Sequence, residues 1–141
     1  MDAKPCVFCD SKNLAAGMIA ETDAFYITAT KGQITDGGYA LIIPKRHSRC
    51  IGEMDVSEKK IFEVAAMLAI AEYTAHAIKQ AYGKDVTMFE HGIVGQTIAH
   101  THLHLVPADL DIGRRVRNDF PMAESDVMNS LRDLPRWYAA L

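Results

Sequence analysis

His100-Thr101-His102-Leu103-His104-Leu105-Val106, preceded by Gly95-Gln96-Thr97-Ile98-Ala99 and closed by Pro107, is the stretch that organises the chain. Alternate side chains of a strand share a face. Read as a strand over 100–106, the segment turns His100, His102 and His104 one way and Thr101, Leu103 and Leu105 the other. One face joins a core, and the other is a row of imidazoles. Upstream, 17–22 and Asp23-Ala24-Phe25-Tyr26-Ile27-Thr28-Ala29 read as two short strands around a turn at 21–23. Tyr39-Ala40-Leu41-Ile42-Ile43 is an apolar run of strand length that follows the Gly37-Gly38 turn and ends at Pro44. Asp85 to Glu90 reads as a further strand.

Between these strands, 57–82 reads as one long helix. Ser57 is a good N-cap, Glu58 suits the positive end of the helix dipole, and Gly83 is a natural stop. Ile61, Ala65, Leu68, Ala75 and Ile78 form one apolar row, with Phe62, Ala66, Ile70, Tyr73 and Ala77 beside it, a stripe wide enough to cover a sheet. Ser125 caps a short helix expected to run through Leu134 before Pro135. Strands, a long helix, then strands predict an α+β domain with a largely antiparallel sheet. The absence of a Gly-rich strand-to-helix turn argues against a dinucleotide-binding fold.

The length of 141 residues, with 49% hydrophobic and 23% charged, fits a single globular domain spanning the chain. A net charge of −3 is a poor footing for general nucleic-acid binding. No apolar run reaches the roughly 18 residues of a membrane span. The segment Met1 to Cys6 lacks a signal-peptide core, so a cytoplasmic location is expected. Three cysteines, an odd number, argue against a disulfide framework. The Cys6-Val7-Phe8-Cys9 spacing instead suggests metal or redox chemistry. The thioredoxin-like setting of a redox dithiol is missing.

Three readings compete for the histidines. They are a solvated strand face with no shared task, three ligands of one catalytic zinc, or a nucleophile and acid-base set for phosphate. The zinc reading is strained, because the first and third rings start about 13 Å apart along a strand. A neutral imidazole is nucleophilic at pH 7, and its cation stabilises phosphoryl oxygens. Spacing alone does not separate the last two readings.

The segment His100 to Val106 resembles the signature of the histidine triad (HIT) family, His-φ-His-φ-His-φ-φ with φ apolar, with Thr101 as a mild departure. Gly95-Gln96-Thr97 resembles the family's approach to the triad, and Leu41-Ile42-Ile43-Pro44-Lys45-Arg46-His47 its Leu-Ile-Ile-Pro-Lys-X-His strand end. Cys6 and Cys9 resemble the zinc-bearing bacterial branch. The likeness covers 6–107 and leaves 108–141 as a variable tail.

The resemblance implies a HIT fold: about five antiparallel strands, one long helix and a short C-terminal helix. It implies a homodimer and a hydrolase that cleaves a nucleoside 5′-phosphate derivative, a phosphoramidate or a dinucleoside polyphosphate, at the α-phosphate. Nucleotidyl transfer, or zinc-stabilised nucleotide binding with little turnover, are the alternatives. His102 would be the nucleophile, with Nδ1–H held by a backbone carbonyl and Nε2 free. His104 would bond the non-bridging oxygens, and Thr97 would stand beside the leaving group. Backbone around Gly95 and Gln96 would hold phosphate oxygens. Phe25 and Ile27, with Phe8 and Ile19, are candidates to cover a purine. Structural zinc would sit on Cys6, Cys9, His47 and His100, in a closed shell with no place for water. No organic cofactor is expected.

Two positions depart from the family pattern. Tyr39 replaces a histidine found in many members, and Glu90, followed by His91, stands where related enzymes place an amide. A carboxylate there repels phosphate unless it is neutralised or turned away, so Glu90 and His91 are also candidate substrate contacts. Cys50 reads as a buried thiol, His76 as a solvated helix residue and Arg114-Arg115-Val116-Arg117 as a solvated charge run.

Overall fold

The computed structural model describes residues 5–33, 36–54 and 61–107, of Ile61 the backbone only. They fall within one compact unit, Met1–Asp109. The helix cap expected at Ser57, the short helix at 125–134, the arginine cluster at 114–117 and the tail at 108–141 lie outside the described residues.

Five strands form one antiparallel sheet: β1 Met18–Glu21, β2 Phe25–Ala29, β3 Ala40–Pro44, β4 Thr87–Phe89 and β5 Leu103–Val106, in the order β1-β2-β3-β5-β4. Single 3-10 turns at Val7–Cys9, Ser11–Asn13 and Ala15–Gly17 lead into β1. The β1–β2 turn is closed by Thr22, whose hydroxyl oxygen accepts from the Phe25 amide at 3.0 Å. The helix α1, Ile61–Tyr82, ends at Gly83, which has φ +68 and donates its amide to the Lys79 carbonyl at 2.8 Å. A four-residue helix α2, Gly92–Gly95, follows β4.

The central strands β2, β3 and β5 are buried on both faces. Phe25, Ile27, Ala40, Ile42, Leu103 and Leu105 pack with Met67, Ala71 and Ile78 of α1. Tyr26, Leu41 and Ile43 face the other way, against Phe8 and Leu14 of the N-terminal segment. Strands covered on both sides read as continuous apolar runs, which is why β3 carries no alternation.

Two sequence expectations are corrected here. First, the helix seats a narrower strip than expected. Met67 and Ala71, which belong to neither expected row, are fully buried, whereas Phe62 is 73%, Leu68 53% and Tyr73 78% exposed. The helix has apolar residues on all sides, many of them alanine, so its periodicity does not point to one face. Second, β5 begins at Leu103, not at His100. The β3 ladder ends there because the Pro44 carbonyl is taken by the His100 ring, whose Nε2–H donates to it at 2.7 Å, and the Thr101 amide goes to the Ser48 carbonyl at 2.6 Å. Residues 98–102 therefore approach the sheet as a pinned bend.

At the start of β3 the chain turns through Gly37 and Gly38, with φ +109 and +88. A Cβ on Gly38 would stand 2.9 Å from the Tyr82 ring. Glycine is required there both by conformation and by space. The turn delivers Tyr39 to the sheet face that carries the histidines.

Candidate functional site

Register builds the site. Met18 pairs with Thr28, Thr28 with Leu41, Leu41 with His104 and His104 with Phe89. These residues form one row across all five strands, on the face turned from α1. A cavity of about 450 Å³ opens beside that row. Thr28, Leu41, His102 and His104 form its floor, Val7, Phe8 and Leu14 one wall, and Thr97 and Ile98 another, with Asn13, Thr30 and Lys31 at polar positions. This is the size and mixed lining of a small-molecule site.

Phe25 and Ile27 do not line it. They lie in the core against α1, one residue out of phase with Tyr26 and Thr28. The expectation that they cover a ligand is corrected by this parity, because a one-residue offset moves a strand residue to the opposite face. Ile19 is 60% exposed and also outside the cavity. Phe8 does line it, edge-on to His102 with centroids 5.2 Å apart. The residues that reading missed, Thr28 and Leu41, share a cross-strand row with His104. Register would reveal that row, and composition does not.

His102 is buried, and its Nδ1–H donates to the His100 carbonyl at 2.6 Å. That bond leaves Nε2 as the unprotonated nitrogen of the neutral ring. Burial pushes the His102 pKa down, the bond to the carbonyl opposes it, His91 pushes the same way as burial, and Glu90 raises it. A neutral His102 with its Nε2 lone pair free is the form that attacks an electrophile.

His104 lies 4.7 Å from His102 between ring centroids. Phe89 stacks on it at 4.7 Å and 5°, and His91 meets it edge-on at 4.7 Å. Its Nδ1 is 2.6 Å from the Tyr39 hydroxyl, and its Nε2 is buried with no partner among the described residues. Burial, then His102 and His91, lowers its pKa to about 4.

The remaining candidates are placed less directly. Gln96 spends its side-chain amide on the Arg49 carbonyl at 2.8 Å. Gly95 packs beneath His91, where a Cβ would lie 3.2 Å from the ring nitrogen. Glu90 accepts from the Ile51 amide at 3.4 Å. None of these, nor His91, lines the cavity, although His91 reaches the site through His104.

Cys6, Cys9, His47 and His100 meet beside the triad, each offering one ligand atom within 4.8 Å of the others. His100 Nδ1 is 3.3 Å from Cys6 Sγ, 3.6 Å from Cys9 Sγ and 3.2 Å from His47 Nδ1, and Cys9 Sγ is 3.4 Å from His47 Nδ1. Bonds of about 2.0–2.1 Å to nitrogen and 2.3 Å to sulfur, set tetrahedrally, place donors about 3.3–3.8 Å apart. The donor set fits a metal ion of that kind. The second nitrogen of His100 is anchored to Pro44, the outer support a ligating imidazole ordinarily has. Without a cation, burial and the neighbouring Cys6 push the Cys9 thiol up, a cost that a divalent ion reverses. The cluster takes His100 away from the other two histidines.

No helix among the described residues is long and apolar enough to cross a membrane.

The model of the HIT domain family matches residues 12–110. An uncharacterised HIT-like protein of Mycoplasma genitalium is 29% identical over 107 residues, which cover 72% of this chain and 72% of that protein. Two solved structures share the fold. A hypothetical protein from Leishmania major superposes with a TM-score of 0.74 at 18% identity, over 97% of this chain and 98% of that one. A hypothetical histidine triad nucleotide-binding protein from Sulfolobus tokodaii gives 0.58 at 27% identity, over 73% of this chain and 68% of that one.

Proposed function

The chain belongs to the HIT domain family, and on that premise we propose that it is a hydrolase of nucleoside 5′-phosphate derivatives, working through a nucleotidyl-His102 intermediate. The observation that carries this reading is the bond from His102 Nδ1–H to the His100 carbonyl, which leaves Nε2 free on the floor of the cavity. The nucleotide-binding description of the Sulfolobus tokodaii relative supports the choice of ligand.

The nucleoside occupies the apolar part of the cavity between Phe8, Leu14 and Leu41, with its α-phosphate over His102. The Nε2 lone pair forms a bond to phosphorus as the bond from phosphorus to the leaving group breaks. The leaving atom takes a proton relayed from water through the Thr97 hydroxyl, which ends the step protonated, and the attacking water of the second step returns a proton to solvent. His104 donates from Nε2 to a non-bridging oxygen as charge gathers there. Water then attacks phosphorus, the P–N bond breaks, and the neutral imidazole and a nucleoside monophosphate are restored. Dividing the displacement in two lets a nitrogen nucleophile carry both steps.

Zinc is the ion we assign to Cys6, Cys9, His47 and His100, since two thiols and two imidazoles in tetrahedral range suit it best. All four positions are taken by protein, so its task is to fasten the N-terminal segment, with Phe8, to the triad. A second copy of the chain is the expected partner. The exposed row of Phe62, Ala66, Tyr73 and Ala77 on α1 is an apolar face of the kind that associates.

The test is steady-state hydrolysis of adenosine 5′-phosphoramidate and of diadenosine polyphosphates by the wild type and by His102→Gln. Turnover in the wild type, lost in the variant, is expected. Tight nucleotide binding with no turnover would make the protein a binding module, and product formed only when phosphate is supplied would make it a transferase.

A further inference from the structure

We propose that Tyr39 is a positioning residue that holds His104 as the Nε2–H tautomer, so that a fixed, buried N–H faces the phosphoryl oxygen of a bound nucleotide; the catalytic part of this rests on the function proposed above.

The inference follows from counting donors and acceptors. The Tyr39 hydroxyl and His104 Nδ1 are 2.6 Å apart, and among the described residues neither atom has another hydrogen-bond partner. If Nδ1 carried the proton, Nε2 would be a buried lone pair with no donor, and the phenol proton would have no acceptor. If the phenol donates to Nδ1, one bond satisfies both atoms and only Nε2–H stays open. Nε2 is the buried side-chain polar atom left without a partner among the described residues. An open polar atom there is costly unless a ligand completes it.

The phenol is itself held in place. The Gln33 amide brackets the Tyr39 backbone, donating to its carbonyl at 2.9 Å and accepting from its N–H at 2.9 Å. Phe89 stacked on one side and His91 edge-on stop the imidazole from rotating. The titratable groups facing His104 are Tyr39 ahead of β3, His102 from its own segment and His91 after β4. Burial raises the phenol pKa, and the imidazole stays neutral to about 4. Between those limits the phenol keeps its proton and the ring keeps an acceptor. A histidine in place of Tyr39 would titrate within that range and alternate between donor and acceptor.

The test reads the tautomer directly, on the full-length metal-loaded protein with no substrate. Long-range proton–nitrogen NMR of the imidazoles should show His104 with a bare, hydrogen-bonded Nδ1 and a protonated Nε2. Tyr39→Phe, which keeps the ring, should shift His104 towards a mixture containing Nδ1–H. Gln33→Ala, which keeps the phenol and frees its backbone, should move the spectrum less and in the same direction. With substrate, Tyr39→Phe should lower kcat about five- to tenfold with KM little changed, the loss of one aligned hydrogen bond. Nδ1–H in the wild type, or an unchanged Nε2–H tautomer in Tyr39→Phe, overturns the proposal. The expected tautomers in a protein with no turnover would leave the positioning intact and overturn hydrolysis instead.

Discussion

Stripping the metal site should loosen the N-terminal segment and leave the sheet folded. The four ligands join three parts of the chain: the turn at 6–9, the exit of β3 and the approach to β5. The contacts they close span 94, 91 and 53 residues. Between residues 5 and 14, only Phe8 and Leu14 are buried. An ion present at 100 to 1,000 times its dissociation constant stabilises the folded state by about 2.7–4.1 kcal/mol. For a domain of this size each kcal/mol moves Tm by roughly 3–4 °C. Chelation should therefore lower Tm by about 10–15 °C. It should also weaken nucleotide binding, because Val7, Phe8 and Leu14 are one wall of the cavity. The assay combines native mass spectrometry for metal content, a melting scan and limited proteolysis, with cleavage expected within 5–17. His102→Gln should keep both the metal and the melting temperature. Loss of the ion with Tm unchanged and no new cleavage would refute the reasoning. So would loss of the metal from His102→Gln, since that would place the ion on the triad.

Three further outcomes follow from the same geometry. An imidazole titrates near 6.5 in an unfolded chain, whereas His104 is held near 4 in the folded one. The unfolded state thus binds more protons between these values, and the His104 contribution to stability is whole above pH 6.5 and is lost as pH falls towards 4. Urea midpoints should decline across that window, less steeply in His104→Gln, and equal slopes would contradict the assignment. Phe25→Leu should cost about 1 kcal/mol in urea unfolding while adenosine monophosphate binds as before; a large loss of affinity at full stability would return the ring to the cavity. Sedimentation should find two chains in the wild type and one in Tyr73→Glu, and a monomeric wild type would remove the dimer.

The strands were legible because β-branched and aromatic runs stand between clear breaks. The Gly37-Gly38 turn and Pro44 bound β3, and Gly83 ends α1, through local backbone chemistry that sequence carries directly. The metal cluster was legible in part: the Cys6–Cys9 spacing points to a metal by donor type, whereas His47 and His100 join it only through the likeness to the family, since their meeting is a tertiary fact. Facing was not legible. In β2 all four residues from Phe25 to Thr28 are buried, so no alternation shows that Thr28 belongs to the site and Ile27 to the core. In α1 an alanine-rich surface hides the strip, Met67, Ala71 and Ile78, that packs on the sheet. The bend at 98–102 comes from groups competing with the ladder, the His100 ring for the Pro44 carbonyl and the Thr101 amide for the Ser48 carbonyl, a tertiary outcome that no strand pattern encodes. Tyr39 stood out only as a departure from the family pattern, and its bond to His104 depends on the register of β3 against β5.

The central claim is that His102 Nε2 forms a bond to phosphorus. Wild type and His102→Gln would be mixed briefly with adenosine 5′-phosphoramidate, quenched in alkali and weighed intact. The account predicts a mass gain of one adenylyl group in the wild type, stable to alkali and lost in acid, and none in His102→Gln. Turnover without an adduct in the wild type, or an adduct that persists in His102→Gln, would contradict it.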